Sequence, residues 1–392
     1  MNDVKRVRIG DAFDVETGST PSTAVPEYWE DGKIKWITPF DLGRLSSTYI
    51  RQTSRKITEK GLNNSSAKLV PANSIIISTR APIGYLAILA ESMAFNQGCK
   101  ALLPKEADSI EPLFVYYQLK TKIGEMNRLG SGSTFKEISK EKLLTIEIQL
   151  PPLRTQNQVA RILDKADAAR EKRRQANQLT EQFLQSAFLD MFGDYLNGRR
   201  KCTWKSTKDV ASFIDYRGKT PRKSAFGIRL ITAKNVKEGH LSDEPKEYIV
   251  EEDFEEWMTR GFPRENDVLF TTEAPLGNVA KLAKFEKVVV GQRIITLQPR
   301  EDVTSDYLMF CLMSKAIQAE IQRRSGGSTA KGIRSKEFAQ VKIPIPSFSK
   351  QQDFAALVEK TESLRAKQKE SEKELENLFN SLMQKAFKGE LV

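Results

Sequence analysis

The residues that could carry out covalent chemistry in this chain are few and scattered. The one histidine, His240, lies in the polar stretch "KEGHLSDE". With no second histidine to relay protons, it reads as a solvated loop residue. Cys99, Cys202 and Cys311 are far apart and form no CxxC pair, which argues against a disulfide frame or a structural zinc site. "EPK" (244–246) has the Glu-x-Lys spacing of many nucleases, yet 62 basic and 51 acidic residues make such matches expected by chance. "GSGST" (130–134) lacks the third glycine and the βαβ frame of a dinucleotide site, and no GxxxxGK[ST] phosphate loop occurs. A loop gripping a target amine would place Asp or Asn before Pro-Pro and an aromatic after it. Here Pro151-Pro152 lies between Leu150 and Leu153. The side chains point to binding rather than catalysis.

What they would bind follows from charge. The 392 residues carry a net charge of +11. Segments 153–195 and 348–392 are nearly neutral, so about +10 resides elsewhere, the balance of a surface that meets a polyanion such as nucleic acid. The composition, 39% apolar and 29% charged, is that of a soluble globular protein. No apolar run reaches the roughly 18–20 residues of a membrane span, and "MNDVKRVRIGDAF" has no signal core. The expectation is a cytoplasmic protein with no membrane association.

The elements that position these residues occur twice. Displaced by about 195 positions, "ETGSTP" (16–21) answers "YRGKTP" (216–221), and "WITPFDL" (36–42) answers "LITAKNV" (230–236). "PANSIIISTRAPIG" (71–84) answers "RENDVLFTTEAPLG" (264–277), and "NQG" (96–98) answers "VGQ" (290–292). "GSGSTFKEIS" (130–139) answers "SGGSTAKGIR" (325–334), and "IEIQLPPLRTQNQVARIL" answers "VKIPIPSFSKQQDFAALV". The offset drifts early in each half and then holds at 195, as expected for a variable part followed by one of fixed length. "SIIIST" and "DVLFTT" read as strands, "IEIQL" and "VKIPI" as edge strands, and 111–126 and 305–322 as helices. Each half therefore begins as an α+β globule.

A long helix follows each globule, from about Thr155 to Met191 and from about Lys350 to Ala386, without internal proline or a break. One heptad register serves both. Its inner positions are Val159, Ile162, Ala166, Ala169, Arg173, Ala176, Thr180 and Phe183 in the first helix. In the second they are Phe354, Leu357, Thr361, Leu364, Gln368, Ser371, Leu375 and Leu378. Such stripes can pair as a coiled coil with a polar middle. At 1.5 Å per residue each helix is a rod of roughly 50 Å. The expected architecture is α+β, with two globular domains in tandem repeat separated by two long α-helices forming an antiparallel coiled coil with pseudo-twofold symmetry. The expected boundaries are 1–152 and 198–347 for the globules, and 153–197 and 348–392 for the helices.

Together "TGSTPSTAVPEYWEDGKIKWITPFDL" (17–42), "RGKTP" with "GIRLITAKNVKEGHL" (217–241), the 130–167 segment and "LFNSLMQKAFKGEL" (378–391) give a family resemblance over nearly the whole chain. The chain resembles the specificity subunits of type I restriction-modification systems. The resemblance implies two target recognition domains, each reading half of a bipartite double-stranded DNA sequence. It implies that the paired helices set the spacing and dock two modification subunits. Those subunits would hold S-adenosylmethionine and methylate adenine, this chain binding no cofactor, and restriction subunits with translocase and nuclease activity would join. The second half lacks the "PEYW" segment and has "FSKQQD" where the first has "LRTQNQ". A stand-alone DNA-processing enzyme or a duplicated protein-binding scaffold are the rival readings.

Reading a duplex needs donors in the grooves and cations at the phosphates. In the first globule the candidates are Ser19, Thr20, Lys35, Arg44, Arg80, Gln97, Lys100, Ser133, Thr134 and Lys136. In the second they are Lys219, Thr220, Arg222, Lys223, Lys234, Asn235, Gln292, Arg293, Arg323, Arg324, Ser328 and Lys331. Trp29 and Trp36 read as core rather than as stacking platforms.

Overall fold

A computed structural model describes residues 5–80, 82–132, 136–218, 220–285, 287–327 and 331–391. The chain divides into two compact units, residues 1–176 with 368–392, and residues 177–367. The strands of the first unit are β1 (Lys5–Arg8), β2 (Phe13–Thr17), β3 (Ile34–Ile37), β4 (Tyr49–Ile50), β5 (Arg55–Ile57), β6 (Ile75–Thr79), β7 (Ile83–Leu89), β8 (Ala94–Phe95), β9 (Cys99–Pro104) and β10 (Glu147–Leu150). Its helices include α1 (Pro39–Gly43) and α2 (Pro112–Leu129). The main sheet has the order β2-β9-β6-β7-β4, a smaller one the order β5-β3-β8, and β1 pairs only with β10.

The isoleucine run of β6 is buried throughout because both faces of its sheet are covered. Ile75 and Ile77 pack with Leu102 against Phe114, Val115, Tyr117 and Leu119 of α2. Ile76 points the other way, with Ala101, to Ile37, Leu42 and Phe95. Helix α2 starts where Pro112 needs no donor and Glu111 accepts from the Leu113 N–H at 3.2 Å, and it stops at Gly130.

The second unit repeats the plan with β11 (Thr203–Ser206), β12 (Ala211–Asp215), β13 (Lys223–Ser224), β14 (Ile228–Ile231), β15 (Glu247–Ile249), β16 (Val268–Thr271), β17 (Val279–Lys281), β18 (Val288–Val290), β19 (Ile294–Pro299) and β20 (Lys342–Ile345). Its helices include α3 (Ser305–Met313) and α4 (Lys315–Arg324). Sheets of order β12-β19-β16-β17 and β13-β15-β14-β18 form, and β11 pairs with β20. As β3 runs parallel to β8, so β14 runs parallel to β18. Again one face of the strand, Val268 and Phe270, meets α3, while Leu269 meets Ile231 and Val290.

A buried glutamine locks the entry to each long helix. The side-chain carbonyl of Gln156 accepts from the Glu111 N–H at 3.0 Å, and its amide donates to the carbonyls of Ser109 and Pro151 at 3.0 and 2.8 Å. Gln351 does the same with Thr304 at 3.0 Å, Asp302 at 3.2 Å and Pro346 at 3.1 Å. Each tie is worth about 1 kcal/mol, and more if one partner were removed and the other left buried without water. The strand, proline and helix recur because this residue ties the elbow to the start of α2 or α3.

The long helices span Leu153–Leu196 and Phe348–Lys388. In the first unit, residues early in the first helix meet residues late in the second: Arg170 pairs with Glu376 at 2.6 Å and lies 4.2 Å from the Phe379 ring centre. In the second unit, Phe188 and Phe192, late in the first helix, meet Phe354, early in the second, at 5.3 and 5.7 Å between ring centres. Within each unit the two helix segments run antiparallel. Their stripes differ from the expected register at four of the sixteen inner positions. Val159, Phe354 and Thr361 are buried, and Ala166, Ala169, Ala176, Leu357 and Leu375 are half-buried. Ile162, Phe183, Leu364 and Leu378 are instead exposed, by 36, 49, 49 and 51%. Leu163, Leu184, Val358 and Phe379 are buried in the helices at the neighbouring positions. Steps of three and four both keep a helix face. Where two apolar residues adjoin, as in Ile162-Leu163 or Leu378-Phe379, packing chooses the second. At Leu364 the half-buried Arg365, paired to Glu362 at 2.7 Å, takes the inner place. Among the described residues no helix is long and apolar enough to cross a membrane.

Candidate nucleic-acid interface

Most of the repeated motifs converge on one loop edge in each unit, and backbone hydrogen bonds lace them together. In the first unit the Ile138 N–H donates to the Thr79 carbonyl at 3.0 Å, and the Thr79 N–H to the Gly98 carbonyl at 2.8 Å. The Asn96 N–H reaches Ile37 at 2.9 Å, and the Ser19 N–H reaches Phe95 at 3.0 Å. In the second unit Ile333 donates to Thr272 at 3.0 Å, Thr272 to Arg293 at 2.9 Å and Gly291 to Ile231 at 2.8 Å. The lattice sets Gln97 against Gln292, one position along from the pairing of "NQG" with "VGQ" read from the sequence. Gly18 lies under this weave: a Cβ there would come within 2.1 Å of the Asn96 carbonyl oxygen.

The turn after β3 is built alike in both units. The Thr38 N–H and hydroxyl donate to Asp41 Oδ2 at 2.8 and 2.6 Å. The Thr232 N–H and hydroxyl donate to Asn235 Oδ1 at 3.0 and 2.9 Å. Burial works against the charge of Asp41, but hydrogen bonds from Thr38 and Ser54 outweigh it and hold the carboxyl below its ordinary range. The residue at the turn's exposed corner differs: Phe40, 59% exposed and capped by the Arg44 guanidinium at 4.7 Å, stands where the second unit has Lys234.

In the second unit Thr220, Lys223, Lys234, Gln292 and Arg293 share one shallow groove of roughly 180 Å³ with Ala274. In the first, the Thr20 hydroxyl donates to Gln97 Oε1, joining the loop after β2 to the turn before β9. Ser19 is half-buried beside them, and Arg80 and Lys136 flank the glycine-rich hairpin through the Arg80–Glu137 bridge. Arg80, Lys136, Lys234 and Lys331 are exposed, without an ion pair among the described residues. Ser133, Thr134, Lys219 and Ser328 lie outside the described residues.

Other candidates are placed differently. Lys100 is buried at 4% exposure, and that burial lowers its pKa although Glu137 and Glu141 pull the other way. Asn235 is fully buried, its amide donating to the Ser242 and Pro245 carbonyls at 3.1 and 2.9 Å. Neither offers its side chain to a ligand. Lys100 lies in β9, whose first four residues are all buried, and the Thr-x-x-Asn spacing of a capped turn was the signal for Asn235. Lys35 is held by Glu91 and the Arg51 carbonyl. Arg222 pairs with Asp253 at 3.6 Å, Lys223 with Glu247 at 2.8 Å, and Arg323 and Arg324 with Glu320. Exposed pairs of this kind contribute about 0–1 kcal/mol and can open toward phosphates. Trp36 is buried, and Trp29 stands edge-on to it with the Arg55 guanidinium 3.7 Å from its ring centre. Phe40 and Glu273 belong to the edge and carried no obvious signal beyond standing where the repeat changes residue type.

A family model described as the type I restriction modification DNA specificity domain matches residues 1–181 and 204–377. The chain is 35% identical over 193 residues to the type I restriction enzyme MjaIX specificity subunit of Methanocaldococcus jannaschii, which is 49% of this chain and 44% of that one. It is 34% identical over 156 residues to the EcoR124I/EcoR124II specificity subunit of Escherichia coli, 38% of this chain and 37% of that one. The aligned stretches thus span less than half of these relatives. The crystal structure of a type I restriction-modification S subunit from M. genitalium has the same fold, with a TM-score of 0.62 at 16% identity over 99% of this chain and 97% of that one.

Proposed function

Given that the chain belongs to the type I restriction-modification DNA specificity family, we propose that it is the DNA-recognition subunit of such a complex and carries no catalytic site of its own. Each loop edge reads one half of a bipartite duplex sequence. The observation that supports this best is that two units of different surface build one backbone lattice and present exposed cations on it. Lys136, Lys234 and Lys331 suit phosphates, which position a protein without reading sequence. Arg80, Gln97, Gln292, Arg293 and Thr220 have the donors that discriminate base edges, and Phe40 offers an apolar ring to a base or a thymine methyl group. The long helices hold the two edges at a set separation and dock two modification subunits. Those partners bind S-adenosylmethionine and methylate adenine, and restriction subunits join them to cleave.

The test mixes the purified chain with its modification subunits and maps methylated adenines on random-sequence duplexes. One bipartite sequence, methylated only by the mixture, is the expected result. Methylation or cleavage by the chain alone would favour a stand-alone enzyme. Assembly without any dependence on DNA sequence would favour a protein-binding scaffold.

A further inference from the structure

Three places on the loop edge hold the same residue types in rotated order. At the end of β6 the first unit has Arg80, bridged across the backbone to Glu137, with Gly98 on the neighbouring turn. At the end of β16 the second unit has Glu273, bridged to Gly332, with Arg293 on that turn. Arginine, glutamate and glycine become glutamate, glycine and arginine. The guanidinium has moved from the strand end to the turn before β19.

It has also gained a partner. Arg293 Nε lies 3.3 Å from Glu273 Oε1, with the side chains 51 and 49% exposed. Gly332 lies against the Glu273 side chain, since a Cβ there would stand a tight 3.3 Å from Glu273 Cβ and in ordinary contact, 3.5 Å, with Oε2. So exposed a pair adds little stability, and a carboxylate on a surface that faces phosphates opposes binding. The geometry gives it another use. With Nε beside this carboxylate, the two terminal nitrogens of Arg293 make no hydrogen bond or ion pair among the described residues and form a fork of the kind that matches O6 and N7 of guanine. Arg80, exposed and without an ion pair among the described residues, offers its fork from a different place.

We infer that Arg293 is a specificity-determining residue that reads one guanine in the half-site of the second domain, with Glu273 as the positioning residue that aims it. This rests on the DNA-reading role proposed above. The test assembles the full chain with its modification subunits and maps methylation on duplexes with both half-sites randomised. Arg293→Ala and Arg293→Lys should each lose preference for guanine at one position of one half-site by roughly tenfold or more. The other half-site stays unchanged and reports a folded complex. Lysine keeps the charge and loses the fork, so Arg293→Lys separates base reading from phosphate contact. Glu273→Gln should relax the same position by a smaller factor. A wild-type complex that is sequence-specific while Arg293→Ala keeps every preference, or weakens all sequences equally, overturns this inference alone. A wild-type complex with no sequence preference overturns it together with the DNA-reading role.

Discussion

The first domain presents Phe40, Arg80 and Gly98 at three corners of its loop edge, where the second presents Lys234, Glu273 and Arg293. Beneath them Thr79 and Thr272, Thr38 and Thr232, and Asn96 and Gly291 make the same backbone hydrogen bonds. Duplication has kept the frame and released the corners. The contacts between the long helices differ in the same way. In the second unit Phe188 meets Phe354 of the other long helix at 5.3 Å, within an aromatic cluster that Phe192 and, from α3, Tyr307 and Phe310 complete. In the first an ionic group joins the apolar packing, Arg170 pairing with Asp167 and Glu376 and lying 4.2 Å from the Phe379 ring centre. A frame that tolerates both chemistries constrains where side chains stand more than what they are.

The largest break in this comparison should come from the helix contacts. Phe188→Ala empties the centre of the aromatic cluster and should cost about 3–5 kcal/mol in denaturant titration. Arg170→Ala, whose ion-pair partners Asp167 and Glu376 are 23 and 43% exposed, should cost about 1–2 kcal/mol. Equal losses would mean that the two contacts are energetically alike despite their composition.

Exchanging the turn residues comes next. Asn235→Asp sets a fully buried carboxylate against the Ser242 and Pro245 carbonyls and should cost about 3 kcal/mol at neutral pH. The new carboxyl would have its folded pKa raised, so the deficit should shrink as pH falls through that value. The reverse exchange, Asp41→Asn, keeps the Thr38 contacts but turns an amide donor toward the Ser54 N–H, which Asp41 Oδ1 accepts at 2.8 Å. About 1 kcal/mol is expected. The folded pKa of Asp41 lies below its unfolded value of about 3.9. Its contribution is therefore whole above that unfolded value and is lost as pH falls through the lowered one. Melting temperatures of wild type and variant should converge only in acid. Convergence at neutral pH would show that the capped turn does not depend on the charge.

The smallest effect on stability should come from the corners. Lys234→Ala should change it by less than about 0.5 kcal/mol. If this lysine meets a phosphate, the slope of log affinity against log salt should fall by about one. An unchanged slope would remove it from the interface.

The repeat, the strand and helix types and both long helices were legible because motifs recurred in order and neither long segment was broken by proline. The inner stripe was half legible. Val159, Thr361 and Phe354 were unambiguous, whereas Phe183-Leu184 and Leu378-Phe379 offered two apolar residues to one place, and only packing could choose between them. Lys100 and Asn235 carried polar types at positions that a strand covered on both faces and a capped turn hold inside. The glutamine lock was present in the text of the chain, since "TQNQ" and "KQQD" share it at Gln156 and Gln351, but its role needed the carbonyls of Ser109 and Asp302, which lie far away in sequence.

Each long helix gives one end to each unit, and this bears on how the chain matures as the ribosome makes it. The second unit is one continuous segment, so it can close as soon as its last turn emerges. The first must wait, with Phe114, Tyr117 and Leu163 lacking cover, until Phe379, Ala386 and Phe387 arrive from the far end of the chain. During synthesis the domain made first is the one completed last, and its apolar surface remains open to chaperones throughout that interval.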